Sequence, residues 1–539
     1  MQIDRGSVEV VYAICSLPFE HARPTAIMTW MRQHWGIENS LHWIRDVTFD
    51  EDRQRAHTGN GAQVLATLRN IRMSFVAHKI DRPNMIIEKS DLFVRGMRAA
   101  RGRLQSRLQV VVVAMLSCAT ITVVAPDSAR ADGGFESEGD QSQYDQFYTP
   151  PDPLPPGEPG DVIRTEPSRL VLEPSGQLGA IMATGTRIMY RSTDTRGNPI
   201  AVTGTYFEPD NPWPGSGPRP LLSYAPGTVG QGDQCALSRV FNQGIHWSPW
   251  LDLMVNYEET FVATMVARGF AIVMTDYEGL GTPGTHTYVN RLAEGHAVLD
   301  AARAAQRLPG TSLDPHGPVA FWGYSQGGGA AASAAELVSS YAPELDVVGT
   351  YAGAPPADLV EMLPYMDGNV LVGAAGYLIN GFIYAYPELA DAIHERMTPR
   401  GEDLLAKTRH QCVQETSFKF MFRHLRGYFT KDLDQLVREE PFKTLFEAQR
   451  LGRHQPSAPV LIVNNRYDPL VPWTQASQLG RDWCAQGAQV EFWTNEEPPF
   501  LNKASVNHAL TFWVDGERAL QWVADRFNGL PAAPNCGQF

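Results

Sequence analysis

The chain has 539 residues, 43% of them hydrophobic and 19% charged; it is too long for one ordinary domain and too apolar for a disordered chain. Its formal net charge of −14 is uneven, with 17 Lys+Arg and 12 Asp+Glu in residues 1–131, leaving 28 basic and 47 acidic residues for the rest. An acidic body argues against nucleic acid as a partner of the main domain.

Residues 1–90 carry a compact mixed pattern that ends in a helical stretch, Gln63 to Ile80. Residues 97–131 have the three parts of an export signal. Arg98, Arg101, Arg103 and Arg107 follow Met97, Leu108 to Val124 is uncharged, and Ala129-Arg130-Ala131 offers small residues for cleavage. Cleavage after Ala131 leaves a secreted chain beginning at Asp132. The rival readings are a membrane anchor, since the run approaches a short span, and a lipid-modified Cys118, which Met115-Leu116-Ser117 precedes poorly for that purpose. A signal at this place implies either translation from near Met97 or an upstream fusion.

Residues 132–165 form a Pro-rich arm that cannot pair inside a sheet. Strand-like runs follow at Arg187 to Tyr190, Ile200 to Phe207 and Leu221 to Ala225. Then strands and helices alternate: helix Glu259 to Arg268, strand Phe270 to Thr275, helix Ala297 to Leu308, strand Val319 to Gly323, helix Gln326 to Leu337 and strand Val347 to Tyr351. Strands Val460 to Asn464 and Val490 to Thr494 and a helix Leu510 to Phe527 close the chain. This alternation predicts an α/β fold with a mostly parallel sheet covered on both faces. Residues 166–354 and 451–539 form its core. Residues 355–450 lack strand signals and predict an inserted helical cap or lid. Its apolar stretch, Val370 to Tyr386, contains Gly373, Gly376 and Gly381; those glycines and its place inside an α/β domain favour an apolar pocket lining over a membrane span.

Gly323-Tyr324-Ser325-Gln326-Gly327 has the G-x-S-x-G form and stands between a strand and a helix, the context that a nucleophile elbow needs. Such a turn lifts the serine hydroxyl above the sheet and aims the Gln326 N–H at a developing oxyanion. A serine needs a base, and the base an orienting carboxylate, in the order Ser, Asp or Glu, His. Asp468 follows a buried strand, and His508 precedes the last helix. Asp482, within a helix, is a weaker rival. His286 and His296 precede Ser325, and His394, His410 and His424 fall in the cap. The Gly-rich loop Tyr224 to Gly232 predicts the second oxyanion donor at Gly227 or Thr228. No lysine follows it in P-loop spacing and no His/Cys cluster has metal-ligand spacing, so the reading requires no cofactor and no metal. Of the six cysteines, Cys235, Cys412, Cys484 and Cys536 lie beyond the signal; spacing leaves three pairings open, and four free thiols as well.

From Phe147 to Cys536 the chain resembles the secretory lipase family, which contains fungal lipase-A-type enzymes. The resemblance rests on Phe147-Tyr148, Pro150-Pro151, Gly227-Thr228, Gly232-Asp233-Gln234-Cys235-Ala236, the elbow, Asp468-Pro469 and His508. It implies an α/β-hydrolase core with a helical lid, the triad Ser325, Asp468 and His508, disulfides Cys235–Cys412 and Cys484–Cys536, and a lipid or ester substrate met at a lipid–water interface. Relatives with an acidic oxyanion loop use that side chain in the hole; here the stretch reads Ala225-Pro226-Gly227-Thr228. The first 80 or so residues resemble the C-terminal end of a DDE-type insertion-sequence transposase, through His34-Trp35-Gly36-Ile37-Glu38-Asn39 and Asp46 to Asp52. Glu38 would be its third metal-binding carboxylate. Without the two upstream aspartates it cannot hold the metal ions, so the segment reads as a non-catalytic remnant. A carboxylester hydrolase with lipid preference is therefore expected. The alternatives are a short-chain esterase or peptidase of the same fold and, from another class, a transposase-derived DNA-binding protein.

Overall fold

The computed structural model describes residues 146–171, 182–243, 245–247 and 253–539. The transposase-like segment, the export signal and the start of the Pro-rich arm lie outside these residues. In chain order the elements are β1 (Val162–Ser168), β2 (Ala183–Thr193), β3 (Pro199–Pro209), β4 (Leu221–Ala225), β5 (Ile245–Trp247), β6 (Leu253–Val255), α1 (Glu259–Ala267) and β7 (Ala271–Thr275). They continue as α2 (Arg291–Arg307), β8 (Val319–Tyr324), α3 (Gln326–Tyr341) and β9 (Val347–Gly353). Between β9 and β10 lie α4 (Leu359–Met366), α5 (Ala374–Ala385), α6 (Pro399–Thr408), α7 (Val413–Phe420) and α8 (Phe442–Gln449). The chain ends with β10 (Val460–Asn465), α9 (Trp473–Ala485), β11 (Val490–Asn495) and α10 (Val506–Phe527).

One nine-stranded sheet has the order β1-β2-β3-β7-β4-β8-β9-β10-β11. Pairing is antiparallel from β1 to β7 and parallel from β7 to β11. Strands β4, β7, β8 and β10 are buried at every position, which a parallel sheet covered on both faces demands. Their side chains alternate between two cores. Leu222, Tyr224, Ile272, Met274 and Trp322 pack with α1 and α10. Leu221, Val273, Val319 and Phe321 pack with the alanine-rich α2 and α3 on the other face. Each buried aliphatic or Phe side chain contributes roughly 1.5–3 kcal/mol.

Three elements differ from the sequence reading. The Pro-rich arm ends in a strand, since Val162–Ser168 pairs with β2. Its Pro167 and mixed polarity hid it; at an edge it needs one partner only. Helix α2 begins at Arg291, six residues before the expected Ala297, because the Asn290 side chain accepts from the Ala293 N–H at 3.3 Å. Helix α10 begins at Val506, so His508 sits in its first turn rather than before it.

Segment 354–459 holds helices, an isolated bridge of Met397 with Phe429, and a second from Cys412 to Gly230 in the loop after β4. The apolar stretch becomes the 12-residue α5. No described helix is long and apolar enough to cross a membrane. Disulfides join Cys235 to Cys412 and Cys484 to Cys536, the pairing that the resemblance implied. The first ties the loop after β4 to the cap. Beside it, Gln231 N–H donates to the Gln411 carbonyl (3.0 Å) and Val413 N–H to the Val229 carbonyl (2.9 Å).

Candidate active site

Because β8 to β11 run parallel, the segments that follow them emerge at one edge of the sheet, where α/β proteins place their sites. Ser325 follows β8, Asp468 follows β10 and His508 follows β11. Ser325 adopts φ 58° and ψ −122°, a left-handed backbone that a non-glycine residue holds only when its surroundings enforce it. The flanking glycines show how. A Cβ on Gly323 would stand 2.0 Å from the Gly327 carbonyl oxygen, and one on Gly327 would stand 2.0 Å from that of Ala225. The Ser325 N–H donates to the Gly353 carbonyl of β9 at 2.9 Å, which ties the turn to the sheet.

The structure brings the three expected side chains together. His508 Nε2 lies 2.9 Å from Ser325 Oγ, and His508 Nδ1 lies 2.8 Å from Asp468 Oδ2. With Nδ1–H donating to the carboxylate, Nε2 is left to accept from the serine hydroxyl. Asp468 Oδ1 accepts from the Leu470 and Val471 N–H groups, both at 2.9 Å. The Asp468 side chain is thus fully buried yet satisfied on both oxygens. Two β10 asparagines hold its loop: Asn465 Oδ1 accepts from the Tyr467 N–H and Asn464 Nδ2 donates to the Val471 carbonyl. Tyr324 donates to the His508 carbonyl at 2.6 Å and anchors the first turn of α10. The rival Asp482 pairs instead with Arg450 and Gln478. His394 and His424 pair with Glu402 and Asp367 inside the cap.

The oxyanion side departs from expectation at one residue. Gln326 opens α3, where a main-chain N–H has no intrahelical acceptor. The Gly227 N–H, however, donates to Glu258 Oε1 at 2.6 Å. It is already committed, which removes Gly227 as a donor to substrate. A Cβ there would also meet Tyr257 Oη at 2.6 Å. Thr228 remains, with its hydroxyl 2.8 Å from that of Tyr288 and its carbonyl accepting from Tyr257. Glu258 also accepts from the Tyr224 hydroxyl. Burial pushes its carboxyl up to about 7, against the pull of these two donors. Gln326 Nε2 meets Glu294 and His286. Burial raises Glu294 to about 8 and lowers His286 to about 4.

Sequence reasoning overlooked Glu258 and Glu294, because acids in a chain read as surface until the fold buries them. It considered His286 only as a base. The pocket above Ser325 and Gln326 is apolar, with Leu359, Met362, Leu371, Leu378 and Leu470 in its wall. A second apolar cavity lies inside the cap and shares Leu363 and Leu378 with the first.

A parallel sheet with an antiparallel edge, a serine on a strand–turn–helix elbow, and a helical cap inserted before β10 define the α/β-hydrolase class. Residues 246–535 match the family model described as secretory lipase. A probable inactive lipase of Mycobacterium tuberculosis is 30% identical over 72% of this chain and 82% of its own length. A secreted triacylglycerol lipase of Malassezia furfur is 29% identical over 58% of this chain and 79% of its own. The X-ray structure of Candida antarctica lipase A in its closed state superposes with a TM-score of 0.62 at 23% identity, covering 73% of this chain and 87% of that one. The chain belongs to the secretory lipase family. Its front segment is a different matter: residues 3–73 match a transposase DDE domain.

Proposed function

We propose that the chain hydrolyses carboxylic esters with long apolar acyl groups, as a triacylglycerol lipase. The observation that carries this reading is the continuous Asp468–His508–Ser325 hydrogen-bonded chain beneath an apolar pocket. Ser325 Oγ attacks the ester carbonyl carbon while His508 Nε2 takes the hydroxyl proton. Asp468 keeps Nδ1 protonated and stabilises the imidazolium. The oxyanion forms against the Gln326 N–H and the Thr228 side of the loop, aided by the positive N-terminal end of α3. Collapse expels the alcohol, which takes its proton from His508, and leaves an acyl-serine. Water, deprotonated by His508, then attacks that acyl carbon and releases the fatty acid.

The Mycobacterium tuberculosis relative carries the name of an inactive lipase; here all three side chains are present and within hydrogen-bonding distance, which supports activity. The two apolar cavities that share Leu363 and Leu378 favour a long acyl chain over a short one. Ser325→Ala should lower hydrolysis of p-nitrophenyl acyl esters by about 10⁴-fold or more. Undiminished turnover in that variant would overturn the assignment. In the parent, rates that rise from acetyl to long-chain esters are expected; a preference for short esters or for peptide bonds would replace lipase with the alternative readings. We further infer that the active unit is exported and begins at Asp132, without a contribution from residues 1–96. N-terminal sequencing of the exported product tests this.

A further inference from the structure

Gln326 carries the oxyanion amide on its main chain, and its side chain is held from two directions. One carboxamide N–H donates to Glu294 Oε1 at 2.7 Å; the other meets His286 Nε2 at 2.9 Å. His286 Nδ1 lies 3.1 Å from the Glu278 carbonyl oxygen. A nitrogen facing a carbonyl must donate, which leaves Nε2 as the acceptor for Gln326. Gln326, Glu294 and His286 are all buried. Glu294 Oε1 also accepts from the Val289 N–H at 2.8 Å. A single carboxyl oxygen therefore ties α2 to two residues of the pocket wall, Val289 and Gln326. Burying a glutamate and a histidine is costly unless every polar atom has a purpose. Here both accept from the one side chain that follows the nucleophile, and Glu294 accepts from the Val289 N–H as well.

We propose that Glu294 and His286 are positioning residues that clamp the Gln326 side chain and thereby fix the direction of the Gln326 main-chain N–H toward the oxyanion. The inference rests on the reading of Ser325 as nucleophile. The physical need is specific. The peptide between Ser325 and Gln326 follows a left-handed residue; its carbonyl accepts from the Gly329 N–H at 3.1 Å, but its N–H lacks an intrahelical acceptor, so the side-chain clamp is a second restraint on where that N–H points. A hydrogen bond weakens steeply as its angle opens, and an oxyanion donor works only if it is aimed before charge develops.

The test is a double-mutant cycle in the full exported chain, with p-nitrophenyl esters as substrate and Tm as the check on folding. Gln326→Ala and Glu294→Ala should each lower kcat about 10- to 100-fold, less than the loss of a whole oxyanion donor, with KM within about twofold. The double variant should be no worse than Gln326→Ala alone, because Glu294 acts through Gln326. Glu294→Gln, whose carboxamide oxygen can accept both N–H groups, should recover most of the kcat lost in Glu294→Ala. Additive losses, losses confined to KM, or an unimpaired Glu294→Ala overturn the clamp. If Glu294→Ala does not fold, Gln326→Met carries the decision: it keeps length and removes both donors, and a parental kcat in it overturns the proposal. Failure of the underlying reading looks different, since Ser325→Ala would then keep its activity. An inactive Ser325→Ala beside a fully active Gln326→Met condemns the clamp alone.

Discussion

The two halves of the site are built by different means. On the proposed hydrolytic side, Ser325 and His508 stand 183 positions apart in the chain yet meet directly through their side chains, one at the end of strand β8 and the other in the first turn of α10. On the proposed oxyanion side the groups assigned are main-chain amides, and buried side chains lie against them. Glu258 takes the Gly227 N–H out of use and leaves the Thr228 side of the loop, and Glu294 with His286 holds the Gln326 side chain. The first half uses a carboxylate opposite a base that can accept charge. The second uses carboxyls that face amides and hydroxyls, and burial drives those carboxyls toward the neutral form. The contrast teaches that an acid serves as an electrostatic partner only where a cationic partner can form; elsewhere a buried acid is a hydrogen-bonding scaffold.

The sharpest way to break this comparison is Asp468→Ala. It should reduce kcat by about 10⁴-fold through loss of the imidazole's tautomer and orientation, and lower Tm modestly, because the Leu470 and Val471 N–H groups lose their acceptor. A loss as small as that of the Glu294 variants would erase the distinction between the halves.

The disulfides offer a second, smaller contrast. Cys235–Cys412 closes 177 positions and staples the oxyanion loop to the cap, whereas Cys484–Cys536 closes 52 and staples α9 to the C-terminal tail. Removing either should cost about 2–5 kcal/mol, read as a lower denaturation midpoint. Only the Cys235→Ala/Cys412→Ala pair should also lower kcat well below the melting temperature. Equal effects of both pairs on kcat would show that the oxyanion loop needs no staple.

The mildest effect is on pH and stability. Glu258 and Glu294 have folded pKa values near 7 and 8, above the ordinary 4.5. The native state therefore holds protons that the unfolded chain has released, and their contribution to stability is lost as pH rises through the folded values. His286, lowered to about 4, works the other way: its contribution is lost as pH falls from its unfolded value toward 4. Burial raises Glu259, Glu278 and Asp300 in the same sense, to about 8, 7 and 6, and lowers His296 as it does His286. The carboxyls outnumber the imidazoles, so Tm should fall between about pH 5 and pH 8. Glu294→Gln should flatten that decline; a Tm that rises over this range would show the carboxyls to be ionised.

Much of the hydrolytic half was legible in the chain because its signals are local. Glycines at 323 and 327 announce a turn that tolerates no Cβ, and Asp468 stands in the loop just past the apolar run Val460 to Val463. His508 was legible as a residue but not as a helical one, although Ser505 stands at the N-cap of α10. The oxyanion half was misread at Gly227. A Gly-rich loop promises a free amide, and nothing in residues 224–232 reveals a glutamate 31 positions away waiting to take it. Edge strand β1 escaped for a similar reason, since its pairing with β2 owes more to the partner than to its own polarity.

By itself, the sequence determined the strand–elbow–helix around Ser325, the order of the hydrolytic residues and the alternation that yields a parallel sheet, because periodicity and steric exclusion act between near neighbours. Only the tertiary structure decided which amides are free, which acids are buried and which cysteines meet. Those outcomes depend on desolvation and hydrogen-bond partners brought from distant segments, and such partners exist only once the sheet and its helices have closed around them.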